Sequence, residues 1–270
     1  MTGAAADNAD APRLECRGLS VRRGVRIVVE DINLALRAGE CLSLVGPNGS
    51  GKTTLLLALL GLLPAAAGSA QMQGHDVRDL SARQRGRLAA YVPQSVERVP
   101  AFRVIDVVAG GRFPYVGPLR SLAPEDHAAI RRALACCGLE ALAERALSAV
   151  SGGERQKTLI AAAIAQDPQV LCLDEPNTAL DPAYQLELVR ILRDWQRSGR
   201  SLVLISHDLQ LPAALGGRVL ALRAGRVAAG GAVADVLTPE VLAAIYGARF
   251  ATATTAAGDR IVMPEWWRAG

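Results

Sequence analysis

The sequence predicts an α/β protein in which a parallel sheet core carries an N-terminal antiparallel β subdomain and an inserted α-helical subdomain. Short apolar runs, CLSLV, VLCLD and SLVLIS, alternate with longer helical patterns, an order typical of a parallel sheet covered by helices. The stretch from Arg26 to Leu36, RIVVEDINLAL, alternates apolar and polar residues, which indicates a half-buried antiparallel strand. Between about residues 95 and 168, Ala-, Leu- and Arg-rich segments replace the strand pattern and predict the helical subdomain.

The composition indicates a globular protein without a strong charge bias. Its 270 residues are 50% hydrophobic, enough to bury a substantial core, and the net charge is +4. This balance does not point to nucleic acid, and we expect no nucleic-acid partner. Five cysteines lack metal-ligand spacing and fit a reducing cytosol. The most apolar stretch, Leu55 to Ala67, is well short of the roughly 20 residues that cross a bilayer, so any membrane role must be peripheral.

Two helices are predicted next to the core strands. The run TTLLLALLGLLP follows a glycine-rich turn and predicts an apolar helix that stops at Pro64. A stripe that contains Leu188, Leu192 and Trp195 predicts a helix from Asp181 to Ser198 that covers the sheet.

A phosphate-binding loop follows the first core strand. The strand CLSLV runs into GPNGSGKT at 46–53, and a helix follows, which is the context that this motif requires. Glycines let successive N–H groups turn inward as an anion nest, and the helix N-terminus adds partial positive charge. The residues expected at ATP are Gly46, Pro47, Asn48, Gly49, Ser50, Gly51, Lys52, Thr53 and Thr54. The pattern predicts a P-loop NTPase core, although the loop alone fits kinases and GTPases equally well.

Two adjacent carboxylates, one at the end of the strand VLCLD and one directly after it, narrow the choice among the classes of P-loop NTPase. Asp174 and Glu175 lie at the carboxyl end of an apolar strand, where α/β sites form. We expect Asp174, with Thr53, to hold Mg²⁺, and Glu175 to act as the general base on the attacking water. Lys52 is expected to reach the β and γ phosphates of ATP.

A third element consists of Ser151, Gly152, Gly153 and Glu154 at the predicted start of a helix. Backbone N–H groups and the helix dipole again favour an anion there. SGGERQ beside a phosphate loop and a DEP sequence resembles the signature of the ATP-binding cassette ATPases, over about residues 14 to 264. In that family the signature of one subunit covers the ATP held by the other. The resemblance therefore implies a head-to-tail homodimer with two ATPs, in which these four residues contact nucleotide.

Other positions take their expected roles from this resemblance. Gln94 in YVPQ is similar to the lid glutamine that senses Mg²⁺ and water, and His207 in ISHD resembles the switch histidine on the γ-phosphate. The segment Thr178 to Asp181 is similar to the loop that joins the two subunits. The family usually places an aromatic ring on adenine where this sequence has Arg23. Either Arg23 stacks on the base or it is solvated and adenine is barely held.

The resemblance also implies domains and partners. We expect a flexible leader at 1–12, an ATPase domain at 13–264 with its core at 13–94 and 168–250, a helical subdomain at about 95–167, and a C-terminal extension at 251–270. The helical subdomain would dock two integral-membrane permease chains at the cytoplasmic face of the inner (plasma) membrane. A periplasmic or surface substrate-binding protein would act indirectly.

Weaker features indicate the kind of transporter. GRFPY at 111–115, the ending VLTPEVLAAIYGARF and a late strand near Ile261 resemble importers of ferric siderophores, haem and cobalamin. Alternatively, GRFPY is a turn whose aromatic residues pack locally. An importer of zinc, manganese or phosphate and a non-transport cassette ATPase remain as alternatives. The sequence shows neither the coiled coils nor the tandem cassettes expected of repair or translation proteins, and a non-hydrolytic module would tolerate loss of Glu175 or His207, which are both present.

Overall fold

The computed structural model describes residues 11–94, 101–116, 121–177, 181–256 and 260–266. The strands are β1 (Leu14–Arg23), β2 (Arg26–Leu36), β3 (Cys41–Val45), β4 (Ala67–Met72), β5 (His75–Asp76), β6 (Ala89–Val92), β7 (Val170–Asp174), β8 (Ser201–Ile205), β9 (Arg218–Arg223), β10 (Arg226–Ala232), β11 (Phe250–Thr254) and β12 (Arg260–Pro264). The α-helices are α1 (Lys52–Leu59), α2 (Ala82–Leu88), α3 (Val104–Gly110), α4 (Pro124–Cys136), α5 (Gly152–Ala165), α6 (Pro182–Arg197), α7 (Gln210–Leu215), α8 (Val233–Val236) and α9 (Pro239–Tyr246).

The central sheet has the order β10-β9-β3-β8-β7-β6. Neighbouring strands from β9 to β6 run parallel, and β10 pairs antiparallel to β9 at the edge. Every residue of β3, β7 and β8 is buried, as expected for strands with helices on both faces of the sheet. The carboxyl ends of these three strands therefore meet at one edge, which confirms the predicted parallel α/β core.

A second sheet is antiparallel and has the order β2-β1-β4-β5. Leu14 pairs with Leu36 and Arg23 with Arg26, so β1 and β2 form a hairpin. Buried residues of this sheet, such as Leu19 and Ile32, share one apolar cluster with α1 and with one face of the central sheet. The predicted antiparallel subdomain thus packs onto the core through α1.

Helices predominate between β6 and β7. Helices α3, α4 and α5 share an apolar cluster with α6 and the opposite face of the central sheet. Leu188, Leu192 and Trp195 of α6 are buried in it, as the apolar stripe predicts. No helix within the described ranges has the length and apolar character required to span a membrane.

Helix α1 ends earlier than the sequence predicts. It stops at Leu59, before Pro64, and the N–H groups of Leu62 and Leu63 both donate to Leu57 O. Gly61 has a φ of 65°, a left-handed conformation that ends helices at little cost for glycine. A Cβ at Gly61 would lie 3.0 Å from Val77 Cβ, so packing against the residue after β5 also restricts this position. The expected stop at Pro64 was therefore wrong.

Candidate active site

The phosphate-binding loop connects β3 to α1 in a conformation that requires glycine. Gly46 has a φ of 138° and Gly51 a φ of 103°. A Cβ at Gly46 would lie 2.1 Å from Leu222 O, and one at Gly51 would lie 2.9 Å from Val28 O. Both ends of the loop are therefore pressed against neighbouring backbone, and its amide groups lie at the start of α1.

Lys52 is the first residue of α1 and is 6% exposed. Its Nζ donates to Gly46 O at 2.8 Å and to Pro47 O at 3.0 Å. Burial lowers the pKa of Lys52, and the nearby carboxylates of Glu175 and Asp174 oppose this shift. A phosphate group offers this amine charged acceptors, which make stronger hydrogen bonds than carbonyl oxygens.

Asp174 ends β7 and lies against the loop. Thr53 Oγ1 donates to Asp174 Oδ2 at 2.8 Å, and the hydroxyl of Tyr91 donates to the same oxygen at 3.2 Å. Burial raises the pKa of Asp174, while these two hydrogen bonds act in the opposite direction. The sequence reasoning did not assign Tyr91 to the site. Tyr91 pairs with Cys172 in the neighbouring strand, two residues before Asp174. This pairing is the signal that could have identified Tyr91.

Polar side chains from two other segments of the chain lie against the carboxylate of Glu175. Gln94 Nε2 donates to Glu175 Oε2 at 2.6 Å, and His207 Nδ1 lies 3.1 Å from the same oxygen. Glu175 has a φ of 49°, which non-glycine residues rarely adopt and which is found most often at functional sites. Its N–H donates to Ile205 O at 2.9 Å, so the bonding between β7 and β8 holds this backbone conformation.

One open cavity of about 320 Å³ joins these groups. Its described lining includes Val28, Asn48, Gly49, Gly51, Lys52, Thr53, Thr54, Gln94 and Glu175. The structure thus brings the phosphate loop, the lid glutamine and the expected base to one place. Asp174 lies behind Thr53, and His207 reaches the cavity through Glu175.

Other predicted residues lie elsewhere in this chain. Ser151 caps α5: Glu154 N donates to Ser151 Oγ at 3.2 Å, and Ser151 N donates to Glu154 Oε2 at 2.8 Å. Hydrogen bonds from the backbone N–H, first, and from the side chain of Ser151 to the Glu154 carboxylate hold the pKa of Glu154 below its usual value. Ser151 and Gly152 are exposed, and none of the residues at 151–154 is among the described residues lining the cavity.

Arg23 is exposed at the tip of the β1–β2 hairpin and is likewise not among the described residues that line the cavity. Thr178 lies outside the described residues. Asn177, which the sequence reasoning did not assign, donates from Nδ2 to Asp208 Oδ2 at 2.9 Å and so ties the segment after Glu175 to the one that carries His207.

The donor set fits Mg²⁺. The ion prefers hard oxygen ligands and is commonly bound by one or two protein groups together with substrate phosphates. Thr53 Oγ1 and Asp174 Oδ2 lie 2.8 Å apart, and the amide of Gln94 is in the same cavity. Within the described part of the chain, no group of three or more His, Cys, Asp or Glu residues forms a metal site. A bound ion would therefore need the oxygens of the nucleotide as well.

The fold and the site together define a P-loop nucleotide-binding protein. The parts of an NTPase site are present: a parallel strand, a loop whose two ends require glycine, and a neighbouring strand that carries two carboxylates at its carboxyl end. Gln94 and His207 both contact the carboxylate of Glu175, the residue that the sequence predicts to be the base.

Comparisons with known proteins identify the family. The model of the ABC transporter family matches residues 29–178. The hemin import ATP-binding protein HmuV of Streptomyces coelicolor is 43% identical over 85% of this chain and 81% of its own length. The iron(3+)-hydroxamate import ATP-binding protein FhuC of Bacillus subtilis is 35% identical over 86% of this chain and 87% of its own. The chain belongs to the ABC transporter family, and it is an ABC-type ATPase subunit.

Solved structures agree with this assignment. A metal-chelate type ABC transporter in an inward-facing conformation aligns with a TM-score of 0.83 and 26% identity, covering 94% of this chain and 98% of the other. MJ0796, a bacterial ABC transporter cassette solved as a dimer, aligns with a TM-score of 0.71 and 25% identity, covering 82% and 98%. The predicted family and fold are confirmed.

Proposed function

We propose that this chain is the ATP-hydrolysing subunit of an importer whose cargo is a ferric siderophore, haem or cobalamin. The observation that carries hydrolysis is the convergence of Gln94 and His207 on one oxygen of Glu175, beside the phosphate loop. The cargo class is supported by the hemin and hydroxamate import proteins described above. A cobalamin import ATP-binding protein of Halobacterium salinarum, 38% identical over 93% of this chain and 63% of its own length, supports it further.

The residues divide the chemistry between them. Lys52 and the amide groups of the loop would hold the phosphates of ATP, and Thr53, Asp174 and Gln94 would hold Mg²⁺. When bound, that ion neutralises charge on the phosphate oxygens. Glu175 accepts a proton from the attacking water, and the Gln94 amide and His207 orient its carboxylate.

The exposed signature supports a dimer. Ser151 and Gly152 start a helix and are exposed, and they are not among the described residues that line the chain's own cavity. Their amide groups and the helix N-terminus are suited to an anion. A second copy, placed head to tail, would bring Ser151, Gly152, Gly153 and Glu154 to the ATP of the first. Full hydrolysis would then require two chains.

The helical segment has a surface suited to the permease chains. Phe102 and Phe113 are 61% and 66% exposed, large apolar side chains that a membrane-protein partner would cover. By contrast, Tyr115 packs locally: the centroid of its ring lies 4.0 Å from Arg112 Cζ and 5.2 Å from Arg87 Cζ. GRFPY therefore combines a locally packed tyrosine with an exposed phenylalanine. We place the chain as a peripheral subunit at the cytoplasmic face of the plasma membrane, with a substrate-binding protein acting across it.

Reconstitution tests the proposed cargo. The chain is combined with candidate permeases in lipid vesicles, and ATP turnover is measured with binding proteins loaded with haem, a ferric siderophore, cobalamin, zinc, manganese or phosphate. We expect stimulation by a member of the first three, and none with the Glu175→Gln variant. Stimulation by zinc, manganese or phosphate alone would replace the proposed cargo. Failure to pellet with membranes when any candidate permease is co-expressed would favour a non-transport ATPase.

A further inference from the structure

We propose that Tyr246, the last residue of α9, is a positioning residue for the phosphate loop. The N–H of Gly46 donates to the Tyr246 hydroxyl at 3.0 Å, across 200 positions of sequence. The inference rests on the proposed function, because it assumes that this loop binds the phosphates of ATP. It assigns a role in nucleotide binding to a helix that follows the core strands in sequence and carries none of the catalytic motifs.

Gly46 is held on three sides. Its N–H meets Tyr246, its carbonyl oxygen accepts from Lys52 Nζ at 2.8 Å, and the place of a side chain is filled by Leu222 O. The φ of 138° at Gly46 sets the direction in which the chain leaves β3. Since the following amide groups form the anion nest, the orientation of this first peptide governs where they point.

The fold holds the Tyr246 hydroxyl in place. Helix α9 starts at Pro239 with its N-terminus capped by Thr238 Oγ1, which accepts from Val241 N at 3.4 Å. Leu242 and Ile245 are buried in a third apolar cluster, together with Val45 at the end of β3. The ring of Tyr246 also packs against Phe250, with the centroids 5.8 Å apart. The hydroxyl thus reaches Gly46 from a packed helix that touches the same strand.

The state of the hydroxyl suits this role. Burial raises the pKa of Tyr246, so the group stays a neutral phenol at physiological pH and can accept the Gly46 N–H. Replacing it with a phenyl ring leaves that half-buried N–H without its partner while the ring packing is kept. Of the three described contacts of Gly46, the hydrogen bond from Lys52 and the packing against Leu222 O then remain, and Lys52 is needed by the phosphates.

The loss of one neutral hydrogen bond sets the expected effect. We expect Tyr246→Phe to weaken ATP binding about three- to tenfold, with kcat within about twofold of wild type, because the loop contacts phosphate before and during the reaction. The affinity for free tripolyphosphate should fall by the same factor, since this ligand contacts the loop but carries no adenine. A residue that only stabilises the fold would lower the melting temperature and leave both dissociation constants unchanged.

The experiment uses the full chain and three variants. Tyr246→Phe is compared with wild type by calorimetric titration of ATP and of tripolyphosphate, by ATPase kinetics and by thermal melting. Tyr115→Phe, which removes a hydroxyl from the helical segment, is the matched control and should bind both ligands as wild type does. Lys52→Ala should lose most binding, and if it does not, the proposed function fails and not only this inference.

The remaining outcomes test whether Tyr246 positions the phosphate loop. With Lys52→Ala impaired, equal or tighter binding of both ligands by Tyr246→Phe would overturn the inference. So would a loss confined to kcat, or a loss for ATP without one for tripolyphosphate. A parallel loss for both ligands, with KM raised and kcat kept, supports it.

Discussion

A buried ion pair links the helices of the inserted segment. Arg112 Nε lies 2.7 Å from Asp126 Oδ1, and the two side chains are 9% and 8% exposed. Arg112 Nη1 also donates to Ala165 O at 2.8 Å, and Asp126 Oδ2 accepts from Ala123 N at 3.0 Å. Arg112→Met would leave the carboxylate of Asp126 buried without its cation. Removal of one partner from such a pair costs about 3–5 kcal/mol in the free energy of unfolding.

An exposed pair of equal length provides the control. Arg78 Nη2 lies 2.7 Å from Asp76 Oδ2, but the Arg78 side chain is 73% exposed. We expect Arg78→Met to leave the free energy of unfolding nearly unchanged, since solvent screens exposed pairs. Both variants are compared by urea unfolding followed by circular dichroism. The double variant Arg112→Met/Asp126→Leu should recover much of the loss, because no charge is then left unpaired.

The pH dependence of the ion pair has a definite sign. Burial acts to raise the pKa of Asp126, but the hydrogen bonds from Arg112 and from the backbone of Ala123 outweigh it and hold the pKa below its usual value. The contribution of the pair is therefore complete at neutral pH and is lost as pH falls below about 4, through the folded-state pKa. The difference between wild type and Arg112→Met should shrink over that range. A loss for Arg112→Met at pH 7 that is no larger than the loss for Arg78→Met would refute the reasoning.

Three further predictions concern ATP. Glu175→Gln should keep ATP binding but lose at least about 100-fold in turnover, and an ATP-bound dimer should accumulate on gel filtration; near-normal hydrolysis would show that another group is the base. Lys52→Ala should weaken ATP binding itself in calorimetry, because a partly desolvated cation is removed from the phosphates. An unchanged affinity would mean that Lys52 does not contact the phosphates. Arg23→Ala should bind ATP clearly more weakly, whereas Arg23→Tyr should bind at least as well; equal affinity in all three proteins would mean that this side chain does not hold adenine.

Much of the fold could be predicted because its signals are local. Each of the strands β3, β7 and β8 is a short apolar run that ends in a polar residue or a glycine. Since the carboxyl ends of parallel strands meet at one edge, Asp174 and Glu175 could be placed beside the phosphate loop, and the family resemblance added Gln94 and His207 to the same site. The geometry then shows that the two donors share one carboxylate oxygen.

The contacts that sequence reasoning missed lack any periodic signal. The hydroxyls of Tyr91 and Tyr246 each join the site through one long-range hydrogen bond, and the ordinary reading of an apolar-rich strand or helix assigns such rings to packing. The pairing of Arg112 with Asp126 depends on how the segment after α3 packs against α4 and α5, which spacing does not specify. The end of α1 at Leu59 was missed because the apolar run continues past it to Pro64.

The charges at the cavity support the proposed use of both Mg²⁺ and a second copy of the chain. Among the described lining residues, Lys52 is the one ammonium group, and it faces the carboxylate of Glu175 with Asp174 behind Thr53. A triphosphate brings several more negative charges to a site that already holds two carboxylates for one amine. The start of α1 supplies only about half a positive charge. A divalent cation on Thr53 and Asp174, and the start of α5 from a partner, would provide the rest, so neither nucleotide binding nor hydrolysis should be complete in an isolated, Mg²⁺-free chain.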